Sequence, residues 1–479
     1  MTFSRNLFIA VGVAALVTAL FAAIILSRPV HNQAALFILL VCVLVCTTML
    51  MHSALSRFAC VSTMLVLIYF LLFNIIPALF QAGFDTYFWR LLTYDSATTA
   101  EAAFLTLLFL LFFAAGQALA PERHHAKALE TIAASERLGR TVYLVAFAGI
   151  ALFVGLIPVR MFGAAALLQS RGTISDAVFN NLDQTSMGLL VFLPRAIVFV
   201  GFVLILYALT RPGRSGGIIR YGVFVPIMIL LLPLQAIVNF PGAQSRFWLF
   251  GMMITLGLMY VSFRSAGRRL FLLAVFVIGT FTIFPMSQQI NRQEGFNFDI
   301  QVPPIEEYMT HGDLDGFQTT MNTLVYVDRF GHTYGRQILS AVLYFVPRSI
   351  WSGKSLATGN MTSAALGFKF NNLSSPIISE LYIDGSFFAV ILGAMALGYA
   401  YRRLDYLFTA VNDIGGVTLY RVLVALICGF TIILMRGALL GVMSPVATSI
   451  GSVYLIIKAP HLASMILRNP LSATAESRS

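Results

Sequence analysis

The feature that most limits how this chain can fold is a series of long apolar runs. Runs of about 18 apolar residues are typical of helices that cross a lipid bilayer. Charged residues make up 11% of the chain, whereas a soluble domain carries about 25%. The runs cover residues 7–26, 34–51, 60–79, 102–119, 141–156, 189–209, 223–240, 247–263, 270–285, 387–401, 417–434 and 440–457. The sequence therefore predicts an all-α, polytopic membrane protein with about twelve transmembrane helices.

The placement of arginine and lysine orients the predicted helices. Short cytoplasmic loops are enriched in these residues. When the N-terminus is placed in the cytoplasm, 18 of the 31 basic residues fall on the inner side, among them the pair Arg402 and Arg403. The first apolar run is long for a signal-peptide core, so it is interpreted as the first helix. We expect a multi-pass inner-membrane protein with both termini in the cytoplasm.

One predicted outer segment, residues 286–386, is much longer than the others. Its apolar stretch 338–346 is too short to cross the bilayer and ends at Pro347, so we expect a re-entrant or interfacial helix there. The chain is thus divided into residues 1–285 with nine transmembrane helices, residues 286–386 as a periplasmic segment with short helices, and residues 387–479 with three transmembrane helices and a cytoplasmic tail.

Four arginines lie at the predicted outer level, against the usual bias of basic residues. They are Arg195, Arg246, Arg348 and Arg436. An arginine at membrane depth costs several kcal/mol unless it reaches water or a partner. Each one alone could reach the outer headgroups or cap a neighbouring helix. Four at one level favour a common anion site, because a guanidinium group binds phosphate oxygens in pairs and stays charged. The predicted anion is the phosphate or diphosphate of a lipid.

Several classes of function are disfavoured by what the sequence lacks. The predicted helices carry almost no Asp or Glu, whereas ion-coupled transporters place such residues near the midplane of the membrane. No nucleotide-binding loop, metalloprotease helix, serine-hydrolase motif or zinc cluster occurs, so neither a cofactor nor a metal is expected. The net charge of +11 is spread over the loops. That pattern is typical of a membrane surface and not of nucleic-acid binding.

Four short motifs resemble, in order and spacing, those of Wzy-type polysaccharide repeat-unit polymerases. The enterobacterial-common-antigen polymerases are among the similar members of this family. In chain order the motifs are Pro241-Gly-Ala-Gln-Ser-Arg246, Tyr344-Phe-Val-Pro-Arg348-Ser-Ile-Trp351-Ser-Gly-Lys354-Ser, Ser375-Pro-Ile-Ile-Ser-Glu380-Leu-Tyr-Ile-Asp-Gly385 and Arg436-Gly437. The resemblance covers about residues 160–445, and it departs from the family at Ser352 and Ser355, where the family often has proline.

The resemblance implies a GT-C-class membrane glycosyltransferase of a bacterial inner membrane with a periplasmic active site. Such enzymes transfer a growing glycan from undecaprenyl diphosphate to the sugar end of one lipid-linked repeat unit. The product is a surface polysaccharide such as the O-antigen of lipopolysaccharide, a common antigen or an exopolysaccharide. The lipid diphosphate is the leaving group, and arginines can stabilise its developing charge in place of a metal. A chain-length regulator protein and a flippase are the expected partners.

The resemblance also assigns roles to particular residues. Arg246, Arg348 and Arg436 are expected to bind the donor diphosphate, with Arg195 in support. Trp351, Tyr334 and Tyr326 are expected to stack on sugar rings, with anchoring at the membrane interface as the alternative role.

The acceptor hydroxyl needs a general base within hydrogen-bond reach. The candidates considered are Glu380, His332, His311 and Asp328, each of which could instead be structural. Glu380 is preferred because it comes just before a predicted helix. The predicted catalytic residues are Glu380, His332 and Arg348.

Two other functions remain as alternatives. An O-antigen ligase uses the same donor but transfers the glycan to the lipid A core, and its long late loop would look similar. A flippase or other transporter of lipid-linked oligosaccharides would need internal symmetry and polar residues along a central path, and the sequence displays neither.

Overall fold

The structure is a computed structural model that describes residues 2–136, 140–169, 188–211, 217–285, 304–370 and 373–472. All the regular elements in these ranges are helices. Ten helices of the described chain are long and apolar enough to cross a membrane. The prediction of an all-α, multi-pass membrane protein is therefore confirmed.

The helices of the first half of the chain are α1 (Thr2–Leu26), α2 (Gln33–Leu55), α3 (Val61–Tyr69), α4 (Ile76–Phe84), α5 (Ser96–Ala118), α6 (Arg123–Glu136), α7 (Thr141–Phe162), α8 (Ala164–Leu167), α9 (Leu193–Thr210) and α10 (Gly217–Val238). Those of the second half are α11 (Arg246–Tyr260), α12 (Ala266–Phe281), α13 (Ile305–Met309), α14 (Gly316–Phe330), α15 (Arg336–Val342), α16 (Thr358–Leu366), α17 (Ile377–Ile414), α18 (Leu419–Gly429), α19 (Thr431–Arg436) and α20 (Leu439–Ser472).

All twelve predicted apolar runs overlap one of these helices or a continuous pair of them. Two of the predicted runs fall on helices that are short for a membrane crossing, since α11 has 15 residues and α12 has 16. Fifteen residues of α-helix rise about 22 Å, which is less than the roughly 30 Å of the hydrocarbon core. Length and composition thus support ten crossings, and the number twelve stays a prediction.

Some predictions fall outside the described residues. These concern residues 286–303 of the long predicted outer segment and residues 473–479 of the predicted cytoplasmic tail.

The chain forms two compact units, each made of several stretches of sequence. The division into three parts along the chain stays a prediction. The first unit contains residues 1–125, 262–409 and 430–443. Within it α1 packs on α2, and α2 packs on α3 and α5. The span from α3 through α4 is buried over all 18 residues of its most apolar part. This span is therefore the centre of the first unit.

The second unit contains residues 126–261, 410–429 and 444–479. Its helices α7, α9 and α10 pack against one another, and α11 packs on α18. The Ser245 side chain accepts a hydrogen bond from the backbone N–H of Trp248 and so caps the start of α11. A cap of this kind satisfies one of the free N–H groups at a helix start.

A π-helical turn, Phe70–Ile75, joins α3 to α4 inside the central span. Its position follows from Pro77, which lacks the N–H that would donate to the carbonyl of Phe73 in an α-helix. The helix widens there while remaining continuous. Asn74 lies in this turn and is fully buried.

The described part of the long predicted outer segment contains the helices α13 to α16 and the first ten residues of α17. Helix α15 has seven residues, which is far fewer than the roughly 20 that cross a bilayer as one helix, and its re-entrant or interfacial position stays a prediction. Helix α17 is broken at Gly385 and at Ser386, which has a φ of 60°. Its second part therefore begins at residue 387, where the predicted transmembrane run also begins.

Candidate functional site

Glu380 lies in the first part of α17 and is buried, with 1% of its surface exposed. The hydroxyl of Thr358, the first residue of α16, donates a hydrogen bond of 2.7 Å to Glu380 Oε2. The backbone N–H of Leu439, the first residue of α20, donates to Glu380 Oε1 at 3.2 Å. The carboxylate therefore joins three elements of the first unit that are distant in sequence.

Arg348 lies in the irregular chain between α15 and α16. Its guanidinium group donates to the backbone carbonyl of Lys354 and, at 2.6 Å, to that of Ser355. Lys354 in turn donates through Nζ to the carbonyls of Tyr344 at 2.7 Å and Val346 at 2.9 Å. The two cations thus fold this loop on itself and concentrate positive charge in it. Burial, and secondarily the charge of Arg348, lower the pKa of Lys354 from its ordinary value.

Arg436 ends α19 and is held by the turn that precedes α14. Its Nε donates to the carbonyl of Asp313 at 3.2 Å, and its Nη2 lies 3.4 Å from Asp315 Oδ1. Asp315 is 2% exposed and also accepts from the Ser374 hydroxyl at 2.6 Å and from Trp89 Nε1 at 3.0 Å. Burial raises the pKa of Asp315, whereas Arg436 and these two donors oppose that rise.

Two predicted arginines are connected along the chain to the residues that hold the Glu380 carboxylate. Arg348 holds Ser355, which is three residues before Thr358, and Arg436 is three residues before Leu439. Three residues of chain span at most about 10 Å. Arg348, Glu380 and Arg436, which are separated by up to 88 positions in the sequence, thus belong to the same unit, and short stretches of chain connect both arginines to the hydrogen-bond donors of Glu380.

His332 lies in the connection between α14 and α15, away from the hydrogen bonds of Glu380. Its Nδ1 is 3.1 Å from the carbonyl oxygen of Tyr382, and its ring packs near those of Tyr334 and Tyr382. Its neighbour Thr333 donates to the carboxylate of Asp384. His332 therefore contacts α17 at Tyr382, which is two residues after Glu380.

The two remaining candidates for the general base lie elsewhere. His311 Nδ1 accepts a hydrogen bond of 3.2 Å from the backbone N–H of Asp313 and lies 3.4 Å from that residue's carboxylate. Asp328 is exposed near the end of α14. Neither residue shares a described hydrogen bond with Glu380.

The three aromatic residues predicted to contact sugar are not grouped by any described ring contact among themselves. Tyr334 is 86% exposed and Tyr326 packs on Phe330 with 5.0 Å between the ring centroids. Trp351 is half-buried in the loop that Arg348 and Lys354 hold. Of the three aromatic residues, only Trp351 therefore lies between Arg348 and Lys354 in the sequence.

The other two predicted arginines belong to the second unit. Arg246 is the first residue of α11, directly after the Ser245 cap. Arg195 is 6% exposed in the first turn of α9, and its backbone carbonyl accepts a hydrogen bond of 3.1 Å from Asn239. Asn239 also accepts from Trp248 Nε1 at 3.1 Å. The Arg195 and Arg246 elements are therefore joined through Asn239.

Asp315, which pairs with Arg436, was not among the predicted site residues. The signal was present, because an Asp-Gly pair before a helical pattern indicates a helix start. What could not be read was its burial against Arg436. Within the described ranges, no group of three or more His, Cys, Asp or Glu side chains is arranged to hold a metal ion.

No protein-family model, curated protein or solved structure significantly matches this chain.

Proposed function

We propose that this chain is a membrane glycosyltransferase that polymerises lipid-diphosphate-linked glycan repeat units on the outer face of a bacterial inner membrane. The observation that supports the proposal is that Arg348, Glu380 and Arg436 belong to one compact unit, in which both arginines are a few residues from the hydrogen-bond donors of Glu380. These three residues come from separate motifs that resemble those of repeat-unit polymerases. Ionisable side chains are costly in a membrane protein, so those that occur usually bind a substrate or pair with another polar group.

The chemistry explains why such residues belong together. Breaking the bond between the anomeric carbon and a lipid diphosphate leaves negative charge on the diphosphate. Fixed guanidinium groups in a site of low polarity stabilise that charge without a metal. Arg348 and Arg436 are fixed in this way, because backbone carbonyls hold both of them. The roles of Arg246 and Arg195, which belong to the second unit, stay predictions from the resemblance.

The acceptor sugar hydroxyl loses a proton as it attacks the anomeric carbon. Glu380 is the proposed general base for that proton. Its Oε2 accepts from Thr358 and its Oε1 accepts from Leu439, and an ionised carboxylate can also accept the proton of a sugar hydroxyl. His332 is the second choice, since its contacts place it beside the same helix.

Arg348→Ala and Arg436→Ala test the proposed diphosphate site. Expressed in a strain that lacks the native chain, each variant should abolish the polysaccharide ladder on a gel while the protein level in the membrane is unchanged. Removing one such stabilising group typically costs about 100-fold to 1,000-fold in rate. The matched control is Arg28→Ala, because Arg28 forms an exposed ion pair of 2.8 Å with Glu306. Normal ladders from both site variants would contradict the proposal.

A second experiment separates polymerisation from transfer to lipid A. Purified protein is supplied with lipid-linked repeat units alone, and the products are resolved by length. A polymerase makes a ladder from this single substrate. Product that forms only after lipid A core is added would assign the chain to the ligases, and transport of the lipid-linked glycan without any glycosyl transfer would assign it to the transporters.

A further inference from the structure

The central span of the first unit carries polar atoms that lack a hydrogen-bond partner within the described chain. They are Nδ2 and Oδ1 of Asn74 and the hydroxyl oxygen of Tyr69. Both side chains are completely buried. Buried polar groups in native proteins are almost always paired, because leaving one unpaired costs the full free energy of its desolvation. An unpaired amide and phenol in a membrane span therefore indicate a binding partner.

The two side chains face the same point. A Cβ atom built on Gly316 would lie 3.3 Å from Asn74 Nδ2 and 3.4 Å from the Tyr69 hydroxyl. The same position is 3.4 Å from Cγ of Pro376. Gly316 begins α14, and any side chain at this residue would press against both Asn74 and Tyr69.

The neighbourhood of this point is part of the candidate site. Gly316 directly follows Asp315, whose carboxylate pairs with Arg436. Pro376 directly follows Ser375 and accepts, through its carbonyl, the backbone N–H of Glu380 at 3.1 Å. The π-helical turn Phe70–Ile75 turns Asn74 toward this junction, and such turns are frequent at functional sites.

We propose that Asn74 and Tyr69 form a binding site for one neutral hydroxyl group, carried by a water molecule or by a bound sugar. A primary amide offers two donors and an acceptor, and a phenol offers one donor and an acceptor. A hydroxyl group, which donates one hydrogen bond and accepts two, complements that set. The sugar form of this inference rests on the proposed function, whereas the water form stands without it.

The test for the water form measures thermal unfolding of the purified full chain in detergent without glycan. Asn74→Leu and Tyr69→Phe each remove polar atoms that have no protein partner. When a bound water pairs those atoms, both substitutions lower the unfolding midpoint by a few degrees. When nothing binds there, both remove an unpaired buried group and leave the midpoint unchanged or raise it. Tyr406→Phe is the control, because the Tyr406 hydroxyl is already paired with the carbonyl of Ala120.

The sugar form is tested by adding undecaprenyl-diphosphate-linked repeat units to the same proteins. A ligand that binds the folded state raises the unfolding midpoint. The rise should be smaller in Asn74→Leu and Tyr69→Phe than in Tyr406→Phe when a sugar hydroxyl occupies the site. Midpoints that are not lowered without glycan, together with an undiminished rise on adding it, would overturn the inference. A failure of the Arg348 and Arg436 tests would leave the water result standing.

Substitutions at Gly316 provide an independent measurement. Gly316→Ala places a methyl group at the shared point and displaces the bound hydroxyl, so the unfolding midpoint should fall. Gly316→Ser adds a hydroxyl within reach of Asn74 and Tyr69, so the serine variant should be more stable than the alanine variant. A serine variant that is no more stable than the alanine variant would contradict the inference.

Discussion

The hydroxyl of Thr358 donates a hydrogen bond of 2.7 Å to Glu380 Oε2 in a buried part of the first unit. This bond connects the start of α16 to the first part of α17. Gly359 permits the approach of α16, because a Cβ at this residue would lie 2.0 Å from the carbonyl oxygen of Leu373. The orientation of Glu380 is therefore fixed by packing as well as by its two hydrogen bonds.

Glu380→Gln should remove the general base while retaining the fold. The glutamine carbonyl oxygen can still accept one of the two hydrogen bonds that Glu380 accepts, but the amide cannot take up a proton. We expect polymerisation by purified protein to fall by about 100-fold or more, with little change in the unfolding midpoint.

Thr358→Val is the matched variant for this prediction. It removes the donor and keeps the carboxylate, so activity should fall by much less than in Glu380→Gln. A Glu380→Gln enzyme that polymerises at the normal rate would exclude Glu380 as the base and leave His332 as the next candidate.

The sequence predicted the membrane class of this fold because apolar runs of spanning length have few other stable arrangements. It also predicted that an apolar helix begins at residue 387. The break at Gly385 and Ser386 is a change of backbone conformation, which hydrophobicity does not reveal. The short helices α13 to α16 were predicted only as a class. Their bounds depend on tertiary contacts such as the one between Thr358 and Glu380.

The parts of the site that escaped prediction depend on which residues meet across the chain. Arg436 was predicted from its unusual position, yet its partner Asp315 lies more than 100 residues earlier. Asn74 was hidden in an apolar run, where a single amide does not change the hydropathy. A sequence displays polar residues but not the pairing of their atoms. That pairing distinguishes Asp315, which directly precedes α14, from the exposed Asp328 near the end of this helix.

Asp315→Asn should alter the pH dependence of stability. Burial raises the pKa of Asp315 above its ordinary value of 3.8, so the folded state holds this proton more tightly than the unfolded chain does. The stability that the protonated group contributes is fully present below the ordinary pKa and is lost as pH rises through the raised pKa. Asparagine has no proton to lose. The unfolding midpoint of the variant minus that of the wild type should therefore increase with pH over this interval.

Asp328→Asn is the control for the Asp315 measurement, because Asp328 is exposed on α14. It measures the effect on the unfolding midpoint of removing one exposed carboxylate. A difference for Asp315→Asn that falls as pH rises would mean that the ion pair with Arg436 outweighs burial, so that the pKa of Asp315 is lowered.

Gly398→Ala should destabilise the first unit, because α5 and α17 touch through their backbones. A Cβ at Gly398 would lie 2.1 Å from the carbonyl oxygen of Phe113, and one at Gly116 would lie 2.0 Å from that of Met395. Small residues at such crossings let membrane helices pack closely. Forcing a methyl group into the contact costs about 1–3 kcal/mol or more, which should lower the unfolding midpoint and the yield of monodisperse protein.

Gly12→Ala is the matched control, since a Cβ there meets no atom of the described chain within 4 Å, and alanine is the better helix former. Equal stability of the two variants would contradict the close crossing of α5 and α17.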